Sequence, residues 1–134
     1  MLLTPHVKEF SRISGYKTED IEARRIQAAD KFARENGLHL LLKGARTVIA
    51  YGGRNKYVST LSTSALAKAG SGDVLAGIIV SLAAQGLSLT DSAAAGCFIH
   101  AKTGLISEKE IGAFSVTADD LIKLISCAIK EITG

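Results

Sequence analysis

The sequence predicts an α/β domain in which a small central β-sheet is flanked by helices. Three short runs rich in branched or large apolar residues, at 38–43, 47–51 and 56–60, have the composition of strands. Longer segments with helical spacing and helix-cap residues precede and follow these runs. Because helices that pack on strands form layered architectures, this order of elements indicates the α/β class.

Length and composition fit one globular domain over residues 1–134, of which 47% are hydrophobic and 22% charged. The 16 basic and 13 acidic residues are mixed along the chain. This balance argues against nucleic acid as a partner, because nucleic-acid binding needs a concentrated basic face. The start of the chain lacks a signal-peptide pattern, and no apolar run is long enough for a bilayer. We therefore expect a cytoplasmic protein with no membrane contact.

Two helices are expected before the first strand. Thr4-Pro5 suits the N-cap and first position of a short helix. A longer helix over 19–36, capped by Thr18, is expected to end at the left-handed stop Asn36-Gly37. The pair Arg24-Arg25 lies among acidic residues in this segment, which predicts a solvated helix face. Gly44 and the segment GGRN at 52–55 then separate the three strands.

The C-terminal half is predicted to be helical. One helix begins at Asp73 and stops at Gly86, a second covers 90–107, and Thr117 opens the last with a capping-box pattern. The first of these is apolar on nearly every face, which predicts burial on most sides. Gly77 in its middle is expected to let a neighbouring element approach closely.

Cysteine and histidine positions favour no metal site. Cys97 and Cys127 have neither redox nor ligand spacing and are expected as reduced thiols on helices. No pair of histidines has metal-ligand spacing, and His39 and His100 stand isolated. His6, taken alone, is expected to be a surface or capping residue.

The first candidate site is the cluster Gly70-Ser71-Gly72-Asp73. Two glycines permit left-handed backbone and remove side-chain bulk, so consecutive N–H groups can point into one concavity. The helix behind them adds unpaired N–H groups and the positive end of its dipole, which suits a phosphate oxyanion. Asp73 also has a structural interpretation, because acidic residues are favoured in the first turn of a helix.

Other glycine motifs are excluded. No stretch supplies the G-x-x-x-x-G-K-[ST] loop of P-loop proteins, and Leu75 stands where a dinucleotide fingerprint needs its third glycine. The order A-G-S-G-D also differs from the G-x-S-x-G nucleophile elbow.

The second candidate site is LLLKGARTVIA at 40–50. Lys43 ends one strand, Gly44 opens a tight turn, and Thr47 begins the next strand. A lysine and a threonine at the carboxyl edge of an α/β sheet suit a nucleotide phosphate or ribose. An ordinary hairpin with a solvated lysine is the structural alternative.

These motifs occur in an order that resembles a known family. LTPHVKEF at 3–10, LLLKGARTVIA at 40–50, ALAKAGSGDVLAGII at 65–79, and FIHAKTG followed by SVTADDLIKLI are together similar to the C-terminal half of ADP/ATP-dependent NAD(P)H-hydrate dehydratases. That family is a branch of the ribokinase-like superfamily. The resemblance runs from Leu2 essentially to the end. It implies a partial ribokinase-like domain, with a central sheet flanked by helices.

The resemblance also implies roles for particular residues. Asp73 matches the catalytic aspartate, which would also contact the hydrated nicotinamide, and His6 matches a substrate-side histidine. The remaining matches concern the nucleotide. They are the anion-hole residues Gly70, Ser71 and Gly72 and the nucleotide-lining segment Lys43, Gly44, Ala45, Arg46 and Thr47.

The implied reaction is the ADP- or ATP-dependent dehydration of hydrated NADH or NADPH, with Mg²⁺ accompanying the phosphates. A ribokinase-like kinase acting on a sugar or vitamin precursor is the first alternative, because it would use the same aspartate and anion hole. A non-catalytic half that needs a partner is the second. The resemblance further implies a homo-oligomer, or association with the N-terminal half of the domain.

Overall fold

The sheet of this protein is mixed, with helices on both faces. The computed structural model describes residues 1–53 and 56–134. Within these residues four strands lie in the order β1-β2-β3-β4. They are β1 (Leu2–Leu3), β2 (His39–Leu42), β3 (Val48–Tyr51) and β4 (Tyr57–Val58). Strands β1 and β2 are parallel, whereas β2–β3 and β3–β4 are antiparallel.

The three predicted strands are confirmed, and the two-residue strand β1 is an addition that the sequence reasoning missed. Of the predicted GGRN separator, the last two residues lie outside the described residues. The helices are α1 (Val7–Ser14), α2 (Thr18–Ala23), α3 (Arg25–Asn36), α4 (Ser71–Ala84), α5 (Leu89–Ile111) and α6 (Ala118–Thr133), with a 3₁₀ turn at Ser64–Leu66.

Two predictions about the N-terminal helices are wrong. The N-cap of α1 is His6 rather than Thr4, because the His6 ring accepts a hydrogen bond from the Glu9 amide. The helix predicted over 19–36 is divided at Arg24, whose φ of −136° and ψ of 51° are not helical. Its first part begins at Thr18 and is preceded by Lys17, which makes no side-chain cap. The left-handed stop at Gly37 is confirmed.

Alternate residues of the strands pack on opposite faces of the sheet, as the two-residue period of a strand requires. Leu40 and Leu42 contact α1, α2 and α3 through a core that includes Phe10 and Ile21. Leu41 belongs to the core on the opposite face. Residues of that second core are Leu41, Ile49, Leu75, Ile79, Ala93 and Cys97. The predicted α/β layer arrangement is therefore confirmed.

Helix α4 begins at Ser71, two residues earlier than predicted, and one of its faces is open. Val74, Leu75, Ile78 and Ile79 are buried, but Val80 is 67% exposed. The prediction of burial on most sides is therefore wrong for this face of the helix. The reason is geometric: α5, α6 and the sheet cover only part of the helix circumference.

The close approach predicted at Gly77 occurs elsewhere. A Cβ built on Gly77 would meet nothing within 4 Å, whereas one on Gly96 of α5 would lie 2.6 Å from Ile79 Cγ1. Gly96 therefore permits the close packing of α5 on α4. Sequence spacing does not reveal which glycine faces a neighbouring helix.

The C-terminal helix and the cysteines agree with the predictions. Thr117 and Asp120 form the capping box of α6, and Cys97 on α5 and Cys127 on α6 are both free thiols. Across the described residues, no helix is both long and apolar enough to cross a membrane.

Candidate active site

A cavity of about 880 Å³ lies at the carboxyl ends of β1 and β2. Its walls come from the turn after β2, the segment before α4, the first turn of α4, and α5. The titratable side chains in the lining are His6, Lys43, Lys68, Cys97, His100 and Glu108. Ligand sites in α/β proteins are common at this edge of the sheet, because loops after parallel strands converge there.

His6 and Lys43 lie side by side because they follow the two parallel strands. The two residues form an isolated parallel β-bridge. Lys43 Nζ lies 3.9 Å from Glu9 Oε2, and its side chain is 28% exposed. A Cβ built on Gly72 would lie 3.1 Å from this Nζ. The ammonium group of Lys43 therefore reaches the first turn of α4.

His6 has both a structural position and a place in the cavity wall. Its Nδ1 accepts from the Glu9 amide at 3.2 Å, and the His6 amide donates to Glu9 Oε2 at 2.7 Å. The His6 backbone N–H holds the pKa of the Glu9 carboxyl below its ordinary value, with further lowering by the charges of His6 and Lys43. The capping interpretation of His6 is confirmed, and its substrate role stays a prediction.

The turn between β2 and β3 presents backbone to the cavity. Thr47 Oγ1 donates to the Gly44 carbonyl at 3.0 Å, which closes the turn. Gly44, Ala45 and Thr47 line the cavity. Arg46 is exposed and lies outside the lining. Four of the five residues in the predicted nucleotide-lining segment, Lys43, Gly44, Ala45 and Thr47, therefore line one wall.

The turn at Gly70 differs in detail from the predicted amide cluster. Only Gly70 is left-handed, with φ of 82°, and it is the N-cap of α4. Its carbonyl accepts from the amides of Asp73 and Val74, and the Ser71 amide donates to the Lys68 carbonyl. In the described chain the Gly72 amide has no backbone partner. This N–H is therefore available at a helix start, close to Lys43.

His100 is a buried site residue that the sequence reasoning missed. Its Nε2 lies 3.1 Å from Ser71 Oγ, and both residues are buried. Burial lowers the pKa of His100 to about 4, and the nearby charge of Lys43 acts in the same direction. The imidazole is therefore neutral at pH 7. The sequence signal was weak, since an isolated histidine on an apolar helix has no recognisable spacing.

Asp73 faces a second cavity of about 550 Å³. Gly70 and Asp73 lie at one end of it, and apolar residues of α4 and α6 form most of the rest. The Asp73 side of the turn is exposed, whereas Ser71 and Gly72 line the first cavity. The Gly70–Asp73 turn thus separates two spaces, with the carboxylate on one side and the free amide on the other.

The described residues contain no group of three or more histidine, cysteine or acidic side chains that could hold a metal ion. In Mg²⁺ sites at nucleotides, phosphates and water supply most of the ligands. Lys43 and Lys68 line this cavity, and the N-terminal end of α4 adds partial positive charge. Such an arrangement suits a polyphosphate, because the free Gly72 amide and the Lys43 ammonium group lie close together at a helix start.

Comparisons with known proteins agree on one family. The family model for NAD(P)H-hydrate dehydratase matches residues 1–127. A bifunctional NAD(P)H-hydrate repair enzyme of Moorella thermoacetica is 39% identical over 132 residues, covering 98% of this chain and 25% of the relative. An ADP-dependent (S)-NAD(P)H-hydrate dehydratase of Neisseria meningitidis is 37% identical over 112 residues, covering 84% of this chain and 38% of the relative.

A solved structure shows the same fold. The ADP/ATP-dependent NAD(P)H-hydrate dehydratase of Bacillus subtilis, co-crystallised with ATP and Mg²⁺, superposes with a TM-score of 0.92 at 26% identity. The superposition covers 97% of this chain and 47% of the solved chain. This chain therefore spans about a quarter of the bifunctional relative and about half of the solved structure.

Proposed function

The chain belongs to the NAD(P)H-hydrate dehydratase family, and from this premise we propose that it dehydrates hydrated NADH or NADPH at the expense of ADP or ATP. The observation that carries the proposal is the Gly70–Asp73 turn, which separates two cavities. On one side are Lys43 and the Gly72 amide; on the other is the exposed carboxylate of Asp73. Relatives that bear this activity in their names support the same assignment.

The nucleotide occupies the first cavity in this proposal. Its phosphates lie near Lys43 and the start of α4, where an ammonium group and a free amide favour negative charge. The turn containing Gly44, Ala45 and Thr47 contacts the rest of the nucleotide. A cavity of about 880 Å³ is within the range of small-molecule sites, roughly 300–1,000 Å³.

The hydrated nicotinamide approaches from the Asp73 side. The ring hydroxyl attacks the terminal phosphorus of the nucleotide, the bond from that phosphorus to the bridging oxygen breaks, and Asp73 accepts the hydroxyl proton. The ring nitrogen then donates its electron pair, and the carbon–oxygen bond breaks to release phosphate. Loss of a proton from the adjacent ring carbon restores the reduced nicotinamide.

Preorganised donors assist the transfer because charge develops on the phosphoryl oxygens in the transition state. The Gly72 amide and Lys43 Nζ would stabilise that charge without reorganisation. Mg²⁺, when bound to the phosphates, would neutralise part of the same charge. His6 lies in the wall of the first cavity, beside Lys43. We assign it to the part of the first cavity where the hydrate would meet the terminal phosphate of the nucleotide, so that it would orient the hydrate there.

The test is a dehydration assay on the chain, comparing wild type with Asp73→Asn. Hydrated NADH is mixed with ADP or ATP and Mg²⁺, and the reduced nicotinamide absorbance is followed. We expect recovery of NADH with one phosphate released per turnover. Since a positioned general base contributes about 10²–10⁴-fold, Asp73→Asn is expected to lose at least 100-fold in rate. Its nucleotide affinity is expected to change little, because Asp73 faces the other cavity.

Product analysis separates dehydration from the kinase alternative. A kinase would leave a stable phosphorylated compound, whereas the dehydratase releases inorganic phosphate and NADH. Nucleotide binding without either product, measured with the further residues of the domain supplied, would contradict the proposed reaction. Equal rates for wild type and Asp73→Asn would remove Asp73 as the base.

Assembly and location are separate predictions. The relatives are about two to four times as long as the matched segment. We propose that the chain acts as a homo-oligomer or together with further residues of the domain. Sedimentation of the purified chain over a concentration series tests self-association.

The cytoplasmic location is tested by cell fractionation.

A further inference from the structure

Arg25 makes an unexpected contact with the turn that follows β2. The sequence predicted a solvated position for Arg24 and Arg25, and only Arg24 is exposed. The Arg25 side chain is 13% exposed. Its Nη2 donates to the Lys43 carbonyl at 2.6 Å, and its Nε donates to the Arg46 carbonyl at 3.2 Å.

The two carbonyl groups stand at opposite ends of the turn from Lys43 to Arg46. A planar guanidinium presents several N–H groups in a rigid fork, so one side chain can bind both. Its remaining terminal nitrogen donates to Glu22 Oε2 at 2.8 Å. The Glu22 contact orients the fork and partly balances its charge. Hydrogen bonds from an ionised donor are stronger than those between neutral groups.

The Arg25 guanidinium occupies the space that a side chain at position 44 would need. A Cβ on Gly44 would lie 2.1 Å from Arg25 Nη2 and 2.8 Å from its Cζ. The φ of Gly44 is not positive, so backbone conformation alone does not require glycine there. A side chain at this position would instead require the Arg25 guanidinium to move away from the turn.

The division of the N-terminal helices places Arg25 for this contact. Helix α3 begins at Arg25, immediately after the non-helical residue Arg24. The side chain thereby leaves the first turn of α3 towards the carboxyl end of β2. Arg25 itself does not line the cavity, whereas the turn that it binds does.

We propose that Arg25 is a positioning residue, which holds the Lys43–Arg46 turn in the conformation that contacts the nucleotide. The inference rests on the proposed function only for the identity of the ligand. The hydrogen bonds from Arg25 to the Lys43 and Arg46 carbonyls do not depend on that ligand. Arg25 acts through Lys43, Gly44 and Ala45 and touches no substrate.

The first experiment measures the turn without any ligand. Hydrogen–deuterium exchange at residues 44–47 is compared in wild type, Arg25→Met, Arg25→Lys and the control Arg24→Met, whose altered side chain is exposed. We expect faster exchange at the turn, by tenfold or more, in Arg25→Met, and an intermediate rate in Arg25→Lys, because an ammonium group cannot reproduce the fork. Unchanged exchange in both Arg25 variants would overturn the proposal. If Arg25→Met does not fold, the exchange rates at residues 44–47 in Arg25→Lys and wild type test the proposal.

A double-mutant cycle tests the contact with Gly44. Gly44→Ala is expected to raise exchange at the turn strongly in the wild-type background and much less in Arg25→Met, since the clash is then absent. Equal effects in the two backgrounds would show that Gly44 and Arg25 are not coupled, and would overturn the inference.

ADP titration by calorimetry adds the functional readout. Under conditions where every variant is folded, Arg25→Met is expected to weaken ADP binding at least tenfold, and Arg24→Met less than twofold. Unchanged ADP affinity with a loosened turn would overturn the positioning role. If wild type binds no ADP, the proposed nucleotide site fails, and the exchange and double-mutant results still decide whether Arg25 holds the turn.

Discussion

The hydroxyl of Ser71 and the imidazole of His100 are hydrogen-bonded at 3.1 Å beneath the first turn of α4. Both residues are buried, although 29 positions separate them in the chain. The bond attaches the start of α4 to α5 at the base of the first cavity. It therefore helps to fix the position of the Gly72 amide.

Stability is expected to fall in acid because of His100. Burial lowers its folded-state pKa from 6.5 to about 4, so the unfolded chain binds a proton that the folded chain resists. The contribution of neutral His100 to the free energy of unfolding is fully present above pH 6.5. It is lost as the pH falls from 6.5 to about 4. A shift of this size corresponds to about 3 kcal/mol. Urea unfolding over this pH range measures it.

The control for this prediction is His100→Gln, which can still hydrogen-bond Ser71 but does not titrate. Its stability curve is expected to be flatter than that of wild type between pH 6.5 and 4. Parallel curves for the two proteins would mean that His100 is not held neutral by the fold.

Gly72→Ala is expected to separate stability from nucleotide binding. Alanine favours a helix by up to about 1 kcal/mol over glycine, but its Cβ would lie 3.1 Å from Lys43 Nζ. The lysine ammonium must then shift by a few tenths of an ångström, and we expect ADP affinity to fall while thermal stability is kept. Gly77→Ala is the matched control on the same helix, because nothing lies within 4 Å of its added Cβ. Equal ADP affinities in both variants would contradict the role given to Lys43.

Gly96→Ala is expected to destabilise the packing of α5 on α4. Its Cβ would lie 2.6 Å from Ile79 Cγ1 and 3.4 Å from Ile79 Cα, and overpacking of this kind costs about 1–3 kcal/mol. Denaturant unfolding measures the loss. Adding Ile79→Ala, which removes Cγ1, is expected to reduce the effect of Gly96→Ala. An undiminished effect in that background would show that Ile79 is not the obstructing contact.

The two cysteines are expected to differ in reactivity. Burial raises the pKa of the Cys97 thiol above its ordinary value, whereas Cys127 is exposed. Because the thiolate is the nucleophile, N-ethylmaleimide is expected to label Cys127 at least tenfold faster, as followed by mass spectrometry. ADP should slow Cys97 further, since this residue lines the first cavity. Labelling of Cys97 that ADP leaves unchanged would count against nucleotide in that cavity.

Much of the architecture was predictable because its signals are local. Runs of branched and large apolar residues identified β2, β3 and β4, and the Thr117 capping box identified the start of α6. Local signals gave a wrong prediction where two nearby residues could each serve as the N-cap of the same helix. Thr4 is a good N-cap residue, but the His6 ring and the Glu9 carboxylate form the cap instead.

The candidate site was predictable only in part. Two features of the site can be recognised from the sequence alone. They are the glycines next to Asp73 at 70–73 and Lys43 before the turn that follows β2. That the turn at Gly70 separates two cavities depends on how α4 sits against β2, α5 and α6. The assignments of Asp73 and His6 stay predictions, because their roles concern contacts with ligands.

The sequence by itself determined the α/β class, the main helices and strands, and the glycine-rich start of α4, since each depends on residues close together in the chain. Only the tertiary structure decided that Arg25 binds the turn at Lys43, that His100 bonds Ser71, and that Gly96 rather than Gly77 faces a neighbouring helix. These contacts join residues 17 to 29 positions apart in the chain. Their geometry is set by the packing of whole elements, which no local pattern encodes.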